Sequence, residues 1–128
     1  MKKFIKIILG IVIILVLTIA GASFFITRGL DSGKDMIINH IDTSQFENGI
    51  YEGKYNGERW SNEVSVILEE GKITEINVVK SVLFEQQEVT RDLINKVIEK
   101  QDVVVDVVSG ATVTSKAYLK AIENAFVK

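Results

Sequence analysis

The sequence predicts a small α+β domain that follows one N-terminal apolar helix. Three observations predict this class: an uncharged apolar run from Ile7 to Ile26, three later segments in which apolar and polar residues alternate, and two final segments with helical spacing. Strands gathered ahead of helices are typical of an antiparallel sheet with two helices packed on one side. A chain of 128 residues has room for one such domain and an appendage.

The apolar run is long enough to cross a membrane. It holds 20 residues, and at about 1.5 Å per residue it spans a bilayer core of about 30 Å. Lys2, Lys3 and Lys6 precede it and favour a cytoplasmic N-terminus with the rest of the chain outside. We therefore interpret residues 1–27 as a single-pass anchor in which residues 7–26 contact lipid. A cleaved signal peptide is the alternative, because Ala20-Gly21-Ala22 resembles a cleavage site, but the run is longer than the usual signal core.

Composition narrows the choice of partners and cofactors. Without the three N-terminal lysines the chain keeps 12 basic and 17 acidic residues, a formal charge of −5, which argues against nucleic acid or an anionic lipid surface as a partner. The chain has no cysteine, so disulfides, thiolate metal sites and iron–sulfur clusters are excluded. His40 is the only histidine, and we expect no metal site. Residues 28–48 are predicted to be a polar spacer.

Three strands are predicted in the first half of the domain. Residues 49–55 alternate in character and end at Asn56-Gly57, residues 62–69 place Val64, Val66 and Leu68 on one face, and residues 72–80 follow. The Glu70-Gly71 connection is short enough for an antiparallel hairpin.

The second half changes to helical spacing. Residues 88–100 carry one apolar stripe and predict a helix, and residues 114–127 predict another. Between them, Val103-Val104-Val105 is rich in β-branched residues, and we expect a short buried strand there. The predicted order is therefore β-β-β-α-β-α.

The stretch from Asp106 to Ser115 joins this last predicted strand to the last helix. Gly110 and Ala111 let the backbone approach a ligand closely, and Gly110 can adopt positive φ. The hydroxyls of Thr112, Thr114 and Ser115 can cap the helix or hydrogen-bond an anion at its positive end. Physical reasoning alone leaves two interpretations open, an anion site and an ordinary helix start.

The order of residues in this turn is more specific evidence than their physical properties. Asp-x-x-Ser-Gly-Ala-Thr, continued as x-Thr-Ser-Lys-Ala, resembles the flavinylation motif of the FMN-binding domain family, and the resemblance covers residues 49–128. This family supplies FMN-carrying subunits of sodium-pumping NADH:quinone oxidoreductases and of related ferredoxin-linked complexes. The resemblance implies that a separate flavin transferase, which consumes FAD, joins FMN to Thr112 through a phosphodiester.

The same resemblance implies roles for the rest of the motif. It implies that the transferase recognises Asp106 together with Ser109, Gly110 and Ala111, and that Thr114 and Ser115 begin the helix. The implied cofactor-binding set is Thr112, Ser109, Gly110, Ala111, Thr114 and Ser115.

The expected function is electron transfer outside the cytoplasm. A flavin supplies the redox chemistry itself, and the sequence shows no carboxylate pair, Ser–His arrangement or cysteine nucleophile, so we expect no catalytic residues. The resemblance implies a membrane-anchored flavoprotein that relays electrons between a membrane donor and another acceptor. Alternatives are a non-redox protein-binding module, a domain that binds FMN reversibly, and a small subunit of a respiratory complex.

Two features bear on the surroundings of the flavin. The connection at residues 81–87 is shorter than in larger family members, which implies a more exposed flavin ring. Trp60 and Phe84 are the aromatic residues that could stack on that ring, although aromatics at loop edges more often pack against their own sheet.

Overall fold

A computed structural model describes residues 1–127 and confirms the predicted class. The chain forms a three-stranded antiparallel sheet in the order β1-β2-β3, together with helices that pack on it. The elements are α1 Lys2–Thr27, α2 Leu30–Lys34, β1 Gly49–Tyr55, β2 Asn62–Glu69, β3 Lys72–Lys80, α3 Gln87–Lys100 and α4 Thr112–Ala125. The three strands have the bounds that the alternation predicts, and short 3-10 turns lie at Thr43–Gln45 and Glu58–Trp60.

The sheet is a simple meander with its middle strand at the centre of the core. Gly49 of β1 pairs with Leu68, and Tyr55 pairs with Asn62. Burial alternates along β2, so that every second side chain faces the helices. Helix α4 lies across β1 and β2, while α3 contacts β3 and α4. The buried apolar side chains of sheet and helices form one core, which includes Val64, Val66, Leu68, Ile73, Leu93, Val97, Ala117, Tyr118, Ala121 and Ile122.

Strand β1 and helix α4 approach each other with no side chain between them. A Cβ atom at Gly53 would lie 1.8 Å from the carbonyl oxygen of Ala121 and 2.7 Å from the amide nitrogen of Ala125. Only glycine fits at this crossing, because both atoms belong to the helix backbone. The contact fixes how deeply α4, which carries the candidate site at its start, seats on the sheet.

The predicted fourth strand was wrong. Within residues 1–127 the segment Val103–Val105 pairs with no strand, although Val103 is fully buried in the core. Its backbone amides are used locally: Asp102 Oδ1 accepts from Val103 N at 2.7 Å and from Val104 N at 3.4 Å, and Val105 N donates to Val103 O at 3.0 Å. The apolar character of this segment therefore reflects burial and not sheet pairing.

Asp102 also joins this turn to the segment before the sheet. Its carboxylate accepts hydrogen bonds from His40 Nδ1 and, at 3.2 Å, from Ile41 N. Partial burial by itself would raise the pKa of Asp102, but these bonds and those from Val103 and Val104 outweigh it and hold the pKa below its ordinary value.

Helix α1 is long and apolar enough to cross a membrane, by its length and composition. None of its residues is buried against the domain. Because it lies near the N-terminus, a signal sequence would satisfy the same criteria.

The segment predicted to be a spacer, residues 28–48, lies along α4. Lys116 Nζ donates to the carbonyl oxygen of Lys34 at 2.6 Å, and Lys120 Nζ donates to that of Ile37 at 3.3 Å. The backbone and side-chain nitrogens of Asn39 donate to the Glu123 carboxylate at 3.1 and 3.0 Å. These bonds hold the segment on the domain, and the proposed boundary between residues 48 and 49 stays a prediction.

Candidate functional site

The motif turn is open to solvent on its glycine side. Ala111 N donates to Val108 O at 3.0 Å, which closes the turn around Ser109 and Gly110. Gly110 has φ +80°, and apart from its two chain neighbours no described residue has an atom within 4 Å of the position a Cβ would take there. Glycine is therefore required at this position by backbone conformation and not by a neighbouring group.

Helix α4 begins at Thr112, two residues before the predicted start at Thr114. Ala111 is the N-cap residue, and no side chain among residues 1–127 caps the helix, so the cap that was one of the two open interpretations of the hydroxyls is not formed. The first backbone bond into the helix runs from Ser115 N to Ala111 O at 2.9 Å. Among residues 1–127 the amides of Thr112, Val113 and Thr114 have no hydrogen-bond partner, so they remain available to an anion.

The sequence-predicted site residues lie together but not in equivalent environments. Asp106, Ser109, Gly110 and Thr112 are exposed, while Ala111 and Thr114 are half-buried. Ser115 is fully buried, and its Oγ accepts a hydrogen bond from Val108 N at 3.2 Å. This bond indicates that Ser115 positions the turn from the inside, whereas the hydroxyl of Thr112 is accessible.

Thr112 lines a cavity of about 310 Å³. The start of α4 forms one wall of the cavity, and Leu30, Lys34, Arg59 and Trp60 form the other. Lys34 makes no ion pair with any residue in the 1–127 range. Sequence reasoning missed Lys34 and Arg59, because neither is near the motif in the sequence and only the fold of residues 28–60 brings them to it.

These residues fit a phosphate group joined to Thr112. A phosphate monoanion or diester needs hydrogen-bond donors and positive charge, and the cavity is lined by the start of α4, with its three free amides, and by the basic residues Lys34 and Arg59. The accessible hydroxyl supplies the atom to which such a group could be linked. The donor set therefore suits the phosphate end of a flavin mononucleotide.

The two aromatic candidates have different environments. Trp60 is only 2% exposed, and the guanidinium carbon of Arg59 lies 3.8 Å from its ring centroid, so one face of the indole is covered by a cation. Phe84 is 68% exposed and lines a second cavity of about 800 Å³, which shares Arg59 with the first. Trp60 thus packs with the core, as the alternative interpretation expects, while Phe84 does not.

A buried tyrosine joins the connection at residues 81–86 to α4. The hydroxyl of Tyr118 accepts from Val82 N at 3.2 Å and donates to Glu85 Oε1 at 3.0 Å. Burial is the main cause that raises the pKa of Tyr118 to about 12, and the nearby Glu85 carboxylate adds to the shift. The hydroxyl therefore stays protonated at ordinary pH and donates to Glu85.

A family model described as FMN-binding domain matches residues 55–127, more than half of the chain and all of the motif turn. No curated protein matches the chain.

Proposed function

The chain belongs to the FMN-binding domain family, and from that membership we propose that it carries FMN covalently on Thr112 as a membrane-anchored, extracytoplasmic electron carrier. A flavin-binding role follows from the family. The covalent bond, the anchor and the relay of electrons between a membrane donor and another acceptor are the proposal.

One observation supports the acceptor assignment above all others. Thr112 is the exposed hydroxyl at the first position of α4, in a cavity that also holds Lys34 and Arg59. In the proposed attachment the Thr112 oxygen bonds to the phosphorus of the FMN half of FAD, the pyrophosphate bond breaks, AMP leaves, and the hydroxyl proton passes to solvent. The free helix amides and the two cations would stabilise the phosphodiester charge that remains.

Exposure of the other motif residues supports recognition by a transferase. Asp106, Ser109 and Gly110 project from the same open turn, where a second protein can reach them. Asp106 makes no ion pair with another residue in the described range, so its carboxylate is available for this contact.

Bound FMN would supply one- and two-electron chemistry, and the chain would supply position and charge. A covalent bond prevents loss of a small cofactor outside the cell, so a deep pocket is not needed. The cavity beside Thr112 has a volume of only about 310 Å³, which is consistent with such a tether. The anchor would be α1, the one helix among residues 1–127 that is long and apolar enough to cross a membrane.

The test is covalent flavin on the full chain. The protein is expressed with an active flavin transferase, extracted in detergent, denatured, and examined by in-gel fluorescence, intact mass and peptide mapping. We expect the added mass of one FMN on the peptide that contains Thr112. Thr112→Ala should abolish the signal, and Thr112→Ser, the matched control that keeps a hydroxyl, should retain part of it.

Each other result contradicts a different part of the proposal. Flavin that is released on denaturation would indicate reversible binding. Fluorescence that survives in Thr112→Ala would place the acceptor elsewhere, with Thr114 the next candidate. A chain that never acquires flavin beside an active transferase would favour a non-redox binding module. Flavinylated chain that always co-purifies with other membrane proteins would instead identify a subunit of a larger complex.

A further inference from the structure

The connection between β3 and α3 displays two apolar side chains to solvent. In this 81–86 loop, Leu83 is 46% and Phe84 is 68% exposed. Phe84 also has φ +62°, in the left-handed region that a bulky aromatic residue rarely adopts. Exposed apolar residues on a strained backbone are costly, so a conformation of this kind indicates a function for the displayed side chains.

The loop is held in place from the interior of the domain. Tyr118, at 1% exposure, uses its hydroxyl to bind Val82 N and Glu85, and Leu83 N donates to Arg59 O at 2.8 Å. Val82 itself is buried in the core. The loop thus presents Leu83 and Phe84 from a fixed base, and the two side chains do not fold back onto the domain.

The displayed residues lie beside the end of the apolar helix. Phe25 of α1 lines the same cavity of about 800 Å³ as Leu83 and Phe84. Arg59 Nε donates to the carbonyl oxygen of Ile26 at 2.7 Å, and Arg28 forms an ion pair with Glu58 at 3.2 Å. These contacts dock the domain on the last turn of α1, so the 81–86 loop lies beside that turn.

We propose that the 81–86 loop inserts Leu83 and Phe84 into the outer interface of the bilayer, beside Phe25. This inference rests on the membrane anchor in the proposed function and is independent of the flavin. A helix that spans a bilayer places its last turn at the lipid interface, and apolar side chains such as Phe and Leu enter the boundary between headgroups and acyl chains. The domain would then touch lipid at two points, the exit of α1 and the loop.

The charges around the loop indicate which lipid it needs. Arg59 and Lys80 line the shared cavity together with Glu58 and Glu85, so the cationic and anionic side chains there are balanced. The net charge of −5 beyond the anchor also disfavours attraction to anionic lipid. Insertion should therefore depend on apolar contact and occur in vesicles of uncharged phosphatidylcholine.

Insertion would also place the candidate flavin site close to the membrane. Arg59 lines both the cavity next to the loop and the cavity that contains Thr112. The two cavities are thus neighbours, and we expect a domain seated on the loop to hold Thr112 near the lipid surface.

The test uses single cysteines, which are unambiguous labels because the chain has none of its own. Phe24→Cys, Leu83→Cys and Ile50→Cys of the full chain are each labelled with bimane and placed in phosphatidylcholine vesicles that contain a nitroxide-bearing phosphatidylcholine. Ile50 is the matched exposed control. It lies near the start of β1, about 17 Å along the strand from Tyr55 at the other end. A second variant, Phe84→Asp in the Leu83→Cys background, removes the apolar tip.

We expect nitroxide quenching at positions 24 and 83 and none above the solution baseline at position 50. Phe84→Asp should remove quenching at 83 and leave it unchanged at 24. Quenching at 24 but not at 83 would overturn the inference while the anchor stands. Absence of quenching at 24 would overturn both, because α1 would then not be in the membrane. Shielding of position 83 only when other membrane proteins are present would identify a protein partner and also overturn it.

Discussion

The hydroxyl oxygen of Ser115 accepts a hydrogen bond from the backbone amide of Val108 at 3.2 Å, across the turn that carries Thr112. The bond joins the first turn of α4 to the residue just before the motif turn. Ser115 is fully buried and Val108 is half-buried, so the bond is partly shielded from water. It therefore holds the exposed hydroxyl of Thr112 in a defined position at the helix start.

Ser115→Ala should loosen this turn. The substitution leaves the half-buried Val108 amide without a partner, and we expect the free energy of unfolding to fall by about 1 kcal/mol and the yield of covalent flavin to fall with it. Urea unfolding followed by emission of Trp60, the only tryptophan, and in-gel flavin fluorescence measure the two effects. Ser65→Ala, a half-buried serine in β2 away from the turn, is the control. Equal stability and flavin yield in the two variants would contradict the positioning role.

Gly53→Ala should disturb the seating of α4 on the sheet. Its Cβ would lie 1.8 Å from Ala121 O, so the helix must move, and overpacking of this kind costs about 1–3 kcal/mol. Gly49→Ala is the matched control in the same strand, because within residues 1–127 only its chain neighbours lie within 4 Å of its Cβ position. We expect urea midpoints that differ clearly between these two variants. If Gly53→Ala unfolded at the wild-type midpoint, the close crossing would be wrong.

Tyr118→Phe should change stability in alkali. Burial raises the pKa of Tyr118 to about 12, above the ordinary value of 10.0, so the folded protein keeps this proton where the unfolded chain loses it. The favourable contribution is complete below pH 10 and declines as the pH rises towards 12. Unfolding curves between these pH values should show a smaller alkaline loss in Tyr118→Phe. Tyr51→Phe, which removes only a bond to Glu47 O, should keep the wild-type loss. Identical slopes in both variants would argue against a buried, protonated hydroxyl.

Glu123→Gln should make the domain less sensitive to acid. Burial would raise the pKa of Glu123, but hydrogen bonds from Asn39 and Lys120 outweigh it and hold the pKa below 4.5. The ionised Glu123 carboxylate therefore stabilises the fold fully above about pH 4.5, the ordinary pKa of the group. This contribution is lost as the pH falls through the lowered pKa of the folded protein. We expect wild type to lose more stability than Glu123→Gln between neutral pH and pH 3, measured by urea midpoints. Glu75→Gln, at an exposed position in β3, should follow wild type.

The strands were predictable from the sequence because their signal is local. Alternation in residues 49–55, 62–69 and 72–80 gives the observed bounds, since one face of this sheet is covered and the other is not. The helix predicted at 88–100 begins one residue earlier, at Gln87. Tyr118 shares a helix face with Ala121 and Ile122, at spacings of three and four residues, and is 1% exposed.

The errors came from features that depend on the fold. Val103–Val105 has the composition of a strand, yet the amides of Val103 and Val104 donate to the Asp102 side chain. Val103 packs into the core, and within the described residues no strand pairs with it. The resemblance implied a helix start at Thr114, whereas the helix begins at Thr112 and Ala111 occupies the cap position. Lys34 and Arg59 could not be assigned to the site, because only tertiary structure brings them to Thr112. The roles of the motif residues in binding flavin stay predictions.

Only Arg28 and Gly29 separate α1 from α2. The segment that follows is hydrogen-bonded to α4, so the connection between α1 and the domain is short. In the anchored form that we propose, the domain could not swing on a flexible stalk to sample distant partners. Its encounters would instead depend on lateral diffusion of the helix, a search in two dimensions whose rate is set by the fluidity of the membrane and the surface density of its partners.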